Sequence, residues 1–285
     1  MEKIAVLIDS TSFLSEELKK ELDIRTVYLN IVINNHSYKE IIDMTADKYY
    51  EYLRDTNNSF PTTSQPAIGE VVACLEKLKE EGYTDVIAIA LSSGISGAYS
   101  SYTVAGLMVD GINVHPFDSE VSCKPEGWYA IKAANLIKEG KNSNQIISAL
   151  NEMKKVSKAY FMADDLSHLQ RGGRLSGAQA LVGSLLQVKP LLHFEDKIIV
   201  PFQKIRTYKK VVLRMYELFD EFYQEHKGEN IHVCVLHVDA IEKAHEIKEY
   251  LEDKYPDIAI EIDAISPVIS THLGLGAIGF GWTIL

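Results

Sequence analysis

Asp85-Val86-Ile87-Ala88-Ile89-Ala90-Leu91 runs directly into Ser92-Ser93-Gly94-Ile95-Ser96-Gly97, and a helix-forming stretch from Ala98 to Val109 follows. The apolar run is short, rich in β-branched residues and without polar alternation, so it reads as a strand covered on both faces. Strand, small-residue loop and helix in that order make half of a β-α-β unit, the building block of a parallel sheet.

The same grammar extends to either side. Ile4 to Ile8 is a second continuous β-rich run, ending in Asp9-Ser10-Thr11-Ser12 and followed by an amphipathic stretch from Ser15 to Leu22. Ile24 to Ile33 reads as a strand, Asp43 to Leu53 as a helix with Thr45 as N-cap, and Asp55 to Gln65 as a polar loop. Helical periodicity spans Ile68 to Lys79. Ile112 to Phe117 then reads as a strand and Glu126 to Lys138 as a helix. Strands separated by helices of this length predict a mainly parallel sheet flanked by helices.

Beyond residue 158 the pattern changes. Ala159 to Ala163 reads as a strand, Leu166 to Gly173 as a polar glycine-rich turn, and Ala178 to Leu186 as a helix. Pro190 to Phe194 and Lys197 to Gln203 flank Glu195-Asp196 like two paired strands, and Thr207 to Gln224 is a long helix. Asn230 to Val238, Ala240 to Lys254 and Ile258 to Ile265 give strand, helix, strand. Tightly joined adjacent strands imply an α+β unit. The expectation is an N-terminal α/β domain over 1–158 and a C-terminal α+β domain over 159–285, the glycine-rich tail returning to a site between them.

Composition narrows the function classes. The 285 residues are 46% hydrophobic, which suits a sizeable core, and no apolar stretch approaches the roughly 18 residues of a membrane span. A net charge of −11 disfavours nucleic acid and allows at most a transient encounter with an anionic membrane. Cys74, Cys123 and Cys234 form no paired motif, and the N-terminus enters a strand with no signal segment. Both point to a reduced, cytoplasmic setting.

Ligands of open α/β sheets bind beyond the carboxyl ends of the strands. Three loops there are rich in hydroxyls and small residues: Asp9 to Ser12, Ser92 to Gly97, and Asp118-Ser119. Pro61-Thr62-Thr63-Ser64-Gln65-Pro66 adds three more hydroxyls. Together they predict an anion or carboxylate site, although each loop alone is also what helix capping produces. Arg171-Gly172-Gly173-Arg174 offers two guanidiniums on a tight turn. The cationic stretch Lys204 to Lys210 fits either a binding role or a solvated face.

Other chemistries find less support. Gly94-Ile95-Ser96-Gly97-Ala98 places its second glycine one position early for a nucleophile elbow, leaving a Ser96-dependent acyl hydrolase or transferase as an alternative. Gly274-Leu275-Gly276-Ala277-Ile278-Gly279 satisfies G-x-G-x-x-G, but too few residues follow for a crossover helix and ribose-binding acid. The segment still implies close backbone approach, with His272 beside it in a structural or ligand-contacting role. Metal-ligand spacings and the phosphate-binding P-loop pattern are absent, so neither a metal nor a nucleotide cofactor is expected.

Asp9-Ser10-Thr11, Thr63-Ser64-Gln65-Pro66, Ser96-Gly97, Asp118-Ser119, Gly172-Gly173-Arg174, Lys189-Pro190 and the tail from His272 to Gly279 occur in an order that resembles the DegV family end to end. These are the fatty-acid-binding carrier proteins of bacterial fatty acid kinase. The resemblance implies a two-domain carrier, not itself an enzyme, holding a long-chain fatty acid between its domains with no cofactor of its own. It places the carboxylate at Thr63 and Ser96, with Ser64, Gly97 and His272 close by. A separate ATP-dependent kinase would phosphorylate the acid for phospholipid synthesis, with Asp43, Arg174 and Arg206 in head-group or kinase-facing roles. Leu275, Ala98 and Lys124-Pro125-Glu126 depart from the family pattern. A binding protein for another small anion, such as a sugar phosphate, is the remaining alternative.

Overall fold

The computed structural model describes residues 2–175 and 189–285. Strands β1 (Ile4–Asp9), β2 (Ile24–Val27), β6 (Asp85–Ala90) and β7 (Asn113–Asp118) form a parallel sheet in the order β2-β1-β6-β7. Every residue of β1 and β6 is buried, as their unbroken apolar runs require. Helices α3 (Ile68–Glu80) and α4 (Ala98–Met108) pack against β2, β6 and β7, while α5 (Lys124–Lys138) and α6 (Ser143–Val156) pack against β1 and β6. The short α1 (Glu16–Glu21) begins at Ser15, whose hydroxyl accepts from the Leu18 N–H. Helix α6 is an addition to the sequence reading; a capping box at Asn142 and Gln145 starts it.

The expected strand from Ile24 to Ile33 is two strands in two sheets. The Leu29 N–H is diverted to the Ser10 hydroxyl, and the chain turns before β3 (Asn30–Ile33). Asn34 and Asn35, both at positive φ, then connect to β4 (His36–Lys39). The supposed loop after α2 (Ala46–Arg54) contains β5 (Thr62–Ser64), completing a small antiparallel sheet ordered β4-β3-β5. Its polar sequence hid this strand, because two of its three side chains are exposed. Thr45 precedes α2 with extended backbone but makes no capping bond.

The second half builds a six-stranded mixed sheet: β10 (Ile198–Gln203), β9 (Leu191–Glu195), β8 (Lys158–Met162), β13 (Ile278–Ile284), β11 (Ile231–His237) and β12 (Ile260–Ala264), in that spatial order. The β9–β10 hairpin is antiparallel as its sequence predicts. The expected helix from Ala178 to Leu186 lies outside the described residues. Leu166 to Gly173 contains the short helix α7 (Ser167–Arg171).

The two faces of this sheet are different. Tyr160, Met162, Val233, Val235, Phe280 and Trp282 pack beneath α8 (Tyr208–Glu225) and α9 (Ile241–Lys254). Phe161, Leu192, Cys234 and Leu236 turn toward the N-terminal half and join its core. Strand β13 makes the asymmetry plain, with Phe280 and Trp282 on one face and Gly279 and Gly281 on the other. Those glycines concealed a central strand from the sequence reading. They leave room for what packs above: a Cβ at Gly281 would lie 2.8 Å from Cγ of Pro125 in α5.

Candidate functional site

Between the parallel sheet and the open face of the mixed sheet lies a cavity of about 330 Å³, within the range of small-molecule sites. Leu29, Leu91 and Ile95 line it from one side, Phe161, Leu236 and Ile269 from the other. Its polar groups, Ser122 excepted, gather at one end, where Thr63 meets His272 and Arg174 meets Ile95. There the structure assembles Thr63, Ser64, Gln65, Ser96, Gly97, Arg174 and His272 from four separate stretches of chain. Among the described lining residues Arg174 is the single charged side chain; no carboxylate lines the cavity, although the protein has 40 acidic residues.

His272 lies on α10 (Pro267–Leu273), and the N-terminal half holds this helix in place. Buried Glu40 accepts from the Val268 N–H at 3.0 Å, Tyr49 O–H donates to Thr271 Oγ1, and Tyr50 O–H donates to the Ile265 carbonyl at 2.6 Å. Thr63 Oγ1 and His272 Nε2 are then 2.8 Å apart. Burial drives the His272 pKa down to about 3, with the charges of Arg174 and His168 adding to the effect, so the imidazole is neutral. Its Nδ1 is buried without a partner among the described residues. An orphaned N–H costs more than an orphaned lone pair, so the proton resides on Nε2 and is donated to Thr63. The Thr63 O–H is thereby left free to donate into the cavity.

The glycines of this region answer to specific neighbours. A Cβ on Gly172 would fall 2.1 Å from His272 Nδ1, so the Arg171-Gly172-Gly173-Arg174 turn can lie against the imidazole only without a side chain there. A Cβ on Gly97 would overlap Gln65 Oε1, and Gln65 Nε2 is fixed to Ser101 Oγ at 2.8 Å. Arg174 donates through Nε to the Ile95 carbonyl at 2.9 Å and through Nη1 to the Gly172 carbonyl, which aims its guanidinium at the cavity's polar end. Burial lowers its pKa, though far too little to neutralise a guanidinium.

Of the three hydroxyl-rich loops, only Ser92 to Gly97 faces the cavity. The anion reading of Asp9 to Ser12 is overturned. Asp9 is fully buried and accepts from the N–H groups of Thr11 at 3.0 Å and Leu91 at 2.8 Å. Thr11 Oγ1 is 2.6 Å from Asp9 Oδ1 and 2.9 Å from Glu126 Oε2, and one hydroxyl proton cannot serve both. Burial and the Asp9 charge push the Glu126 pKa well up, so Glu126 is protonated and donates to Thr11, which donates to Asp9. Such a nest repels anions. Asp118 is likewise engaged, accepting from Ser93 N and Oγ and from the Glu120 N–H, with Lys197 Nζ at 3.1 Å.

Two further sequence-named residues lie away from the cavity. Asp43 is exposed and closes the turn after β4, accepting from the Lys39 N–H at 2.8 Å. Arg206 is exposed between β10 and α8, and neither residue lines the cavity. Ser64 borders it, but on the pleat of β5 next to Thr63, so their hydroxyls point to opposite faces. Ser122, Cys123 and Phe194, which the sequence reading passed over, line the cavity. Only a sheet register could have announced them. Ser96 Oγ accepts from the Ala98 N–H at 3.3 Å, and no histidine among the described residues is hydrogen-bonded to it. The nearby His272 is committed to Thr63 and too acidic to serve as a base, so the nucleophile reading lacks its partner.

The fold is a parallel α/β sheet joined to a mixed sheet, and the cavity between them pairs apolar walls with an end made of hydroxyls and an arginine. The chain belongs to the DegV family: the family model described as “Uncharacterised protein, DegV family” matches residues 3–284. Protein DegV of Bacillus subtilis is 50% identical over 280 residues, covering 98% of each chain. The crystal structure of DegV, a fatty acid binding protein from Bacillus subtilis, superposes with a TM-score of 0.94 at 49% identity, covering 100% of both chains. A fatty acid binding DegV family protein from Streptococcus agalactiae matches with a TM-score of 0.92 at 30% identity, again covering 100% of both.

Proposed function

We propose that this protein binds a long-chain fatty acid in the cavity between its halves and presents the carboxylate to a separate ATP-dependent fatty acid kinase. The halves act as two domains meeting near residue 158. The observation that carries the reading is a cavity with apolar walls, one polar end and, among the described lining residues, one charge, that of Arg174. An anion with a long apolar tail satisfies all three features, whereas a sugar phosphate would leave the walls unmatched.

The tail supplies the affinity. Burying ~15 methylenes at ~0.8 kcal/mol each gives about 12 kcal/mol before association costs. Hydrogen bonds to a carboxylate add only about 1.5–3 kcal/mol apiece, so Thr63 and Ser96 chiefly set orientation. With the head group at the cavity's polar end, a carboxylate oxygen attacks the γ-phosphorus of the kinase's ATP, ADP leaves, and an acyl phosphate forms for phospholipid synthesis. Asp43, Arg206 and the exposed cations Lys204, Lys209 and Lys210 form kinase-facing surface, and the carrier works in the cytoplasm without a cofactor.

Native mass spectrometry of freshly purified protein tests the ligand class: a co-purified long-chain fatty acid is expected, and consistently empty protein sinks the reading. Thr63→Ala and Ser96→Ala should weaken binding by about tenfold yet nearly abolish acyl-phosphate formation with the kinase. Normal phosphorylation of both variants would refute the head-group placement.

A further inference from the structure

A second cavity, also of about 330 Å³, adjoins the first, and the two share Ala159, Tyr160 and Phe194 in their walls. Strand β8 gives the direction between them. Just past its C-terminal end, Asp164 and His168 pack against the backbone of Gly276 and Gly274, and α7 leads to Gly172 beneath His272; that is the polar end. Ala159 sits at the opposite end of the strand, roughly 13 Å away at ~3.3 Å per residue. The shared wall is therefore the far end of the acyl site. The space beyond is a different medium, bordered by Ser119, Glu120, Lys154 and Lys158.

The material of the wall is specific. Ala159 contributes a methyl group. The ring of Tyr160 belongs to the other face of the sheet, where it packs on Trp282 at 5.5 Å and Phe202 at 5.1 Å. Phe194, on β9, turns its ring to the cavity side, 5.8 Å from that of Phe161. It is the one bulky side chain of the three that faces the chain.

We propose that Phe194 sets the upper length of the acyl chain, its ring being the partition between the apolar tunnel and the polar cleft behind it. The inference rests on the fatty-acid reading above. Each methylene that fits within the tunnel raises affinity about fourfold, and a methylene forced against the ring or into a hydrated cleft forgoes that gain. Removing the ring joins the two spaces.

The test loads wild type and Phe194→Ala with an equimolar mixture of saturated fatty acids of about 12 to 24 carbons. The retained acids are then read by native mass spectrometry. The expected result is that the longest acid retained moves up by about two to four carbons in the variant, partial collapse of the site limiting the gain. Phe194→Leu, which keeps an apolar side chain and guards against misfolding, should shift the limit by less in the same direction. A loaded wild type whose length limit is unchanged in both variants overturns the inference, as does loss of all ligand from a folded variant. A wild type that retains no fatty acid defeats the fatty-acid reading itself, and the partition with it.

Discussion

Two polar clusters, each with a threonine hydroxyl at its centre, do opposite things. The nest of Asp9, Thr11 and Glu126 is turned inward: Glu126 donates to Thr11 and Thr11 to Asp9, all three buried, so the hydroxyl is not offered to a ligand. The cluster of Thr63, Ser96, Arg174 and His272 is left deliberately short of partners. His272 spends its proton on Thr63, and the hydroxyl and guanidinium remain directed at the cavity. The difference lies in the balance of acids. Where buried carboxyls outnumber cations, the hydroxyls are consumed internally; where the one charge among the described lining residues is an arginine, they stay available for an anion.

The sharpest way to break this contrast is to remove the hub of the inward-turned nest. Asp9→Ala strands the buried N–H groups of Thr11 and Leu91 and the Thr11 hydroxyl. A loss of about 4 kcal/mol in unfolding free energy is expected from urea denaturation. A loss below about 1 kcal/mol would mean the nest is no lock at all.

Glu40 joins the two regions, accepting from Ser10 beside the nest and from Val268 on the helix that carries His272. Burial pushes its pKa up to about 7 from 4.5. Folding therefore favours its protonated form. That stabilisation is complete below about pH 4.5 and is lost as the pH rises through 7, amounting to about 3 kcal/mol. Glu40→Gln lacks this loss, so its stability relative to wild type should improve by about that amount between pH 4.5 and 8. Parallel stability–pH curves for the two proteins would contradict it.

His272 has the opposite sign. Its pKa is lowered to about 3 from 6.5, chiefly by burial, so the stability it confers is full above pH 6.5 and falls away as the pH drops toward 3. At pH 5 wild type should have lost about 2 kcal/mol that His272→Gln retains, measured by denaturant midpoints at pH 7.5 and 5. Equal losses in both proteins would show that the histidine titrates freely.

How far the sequence disclosed this contrast depends on the kind of signal. The parallel sheet was legible from Asp85 to Leu91 and Ile4 to Ile8, because a strand buried on both faces needs an unbroken apolar run. Strands β5 and β13 were not: exposed hydroxyls hide the first, and in the second the glycines that alternate with Ile278, Phe280 and Trp282 read as a tail. Residue types drew attention to the hydroxyl-rich loops and to His272, and the family resemblance singled out Thr63 and Ser96. Residue types could not separate the polar end from the Asp9 loop, because what distinguishes the two is Glu126, far away in sequence and brought in by α5.

The smallest expected effect tests that limit within two adjacent residues. The family resemblance implies Thr63 at the carboxylate with Ser64 close by, and by side-chain chemistry the two are interchangeable. On β5, side chains alternate between faces. Thr63 pairs with Ile31, which is fully buried, and meets His272; Ser64 pairs with Asn30 and is exposed. Removing the Ser64 hydroxyl deletes a group that water already solvates, so Ser64→Ala should change fatty-acid affinity by less than about 0.5 kcal/mol. Thr63→Ala should cost about 1.5 kcal/mol, since the hydroxyl that His272 frees for donation is gone. Side-by-side titrations with one fatty acid decide it. If the two substitutions weaken binding equally, the strand carries both hydroxyls to the ligand, and the alternation that sets the open cluster apart from its surroundings does not hold at its most important residue.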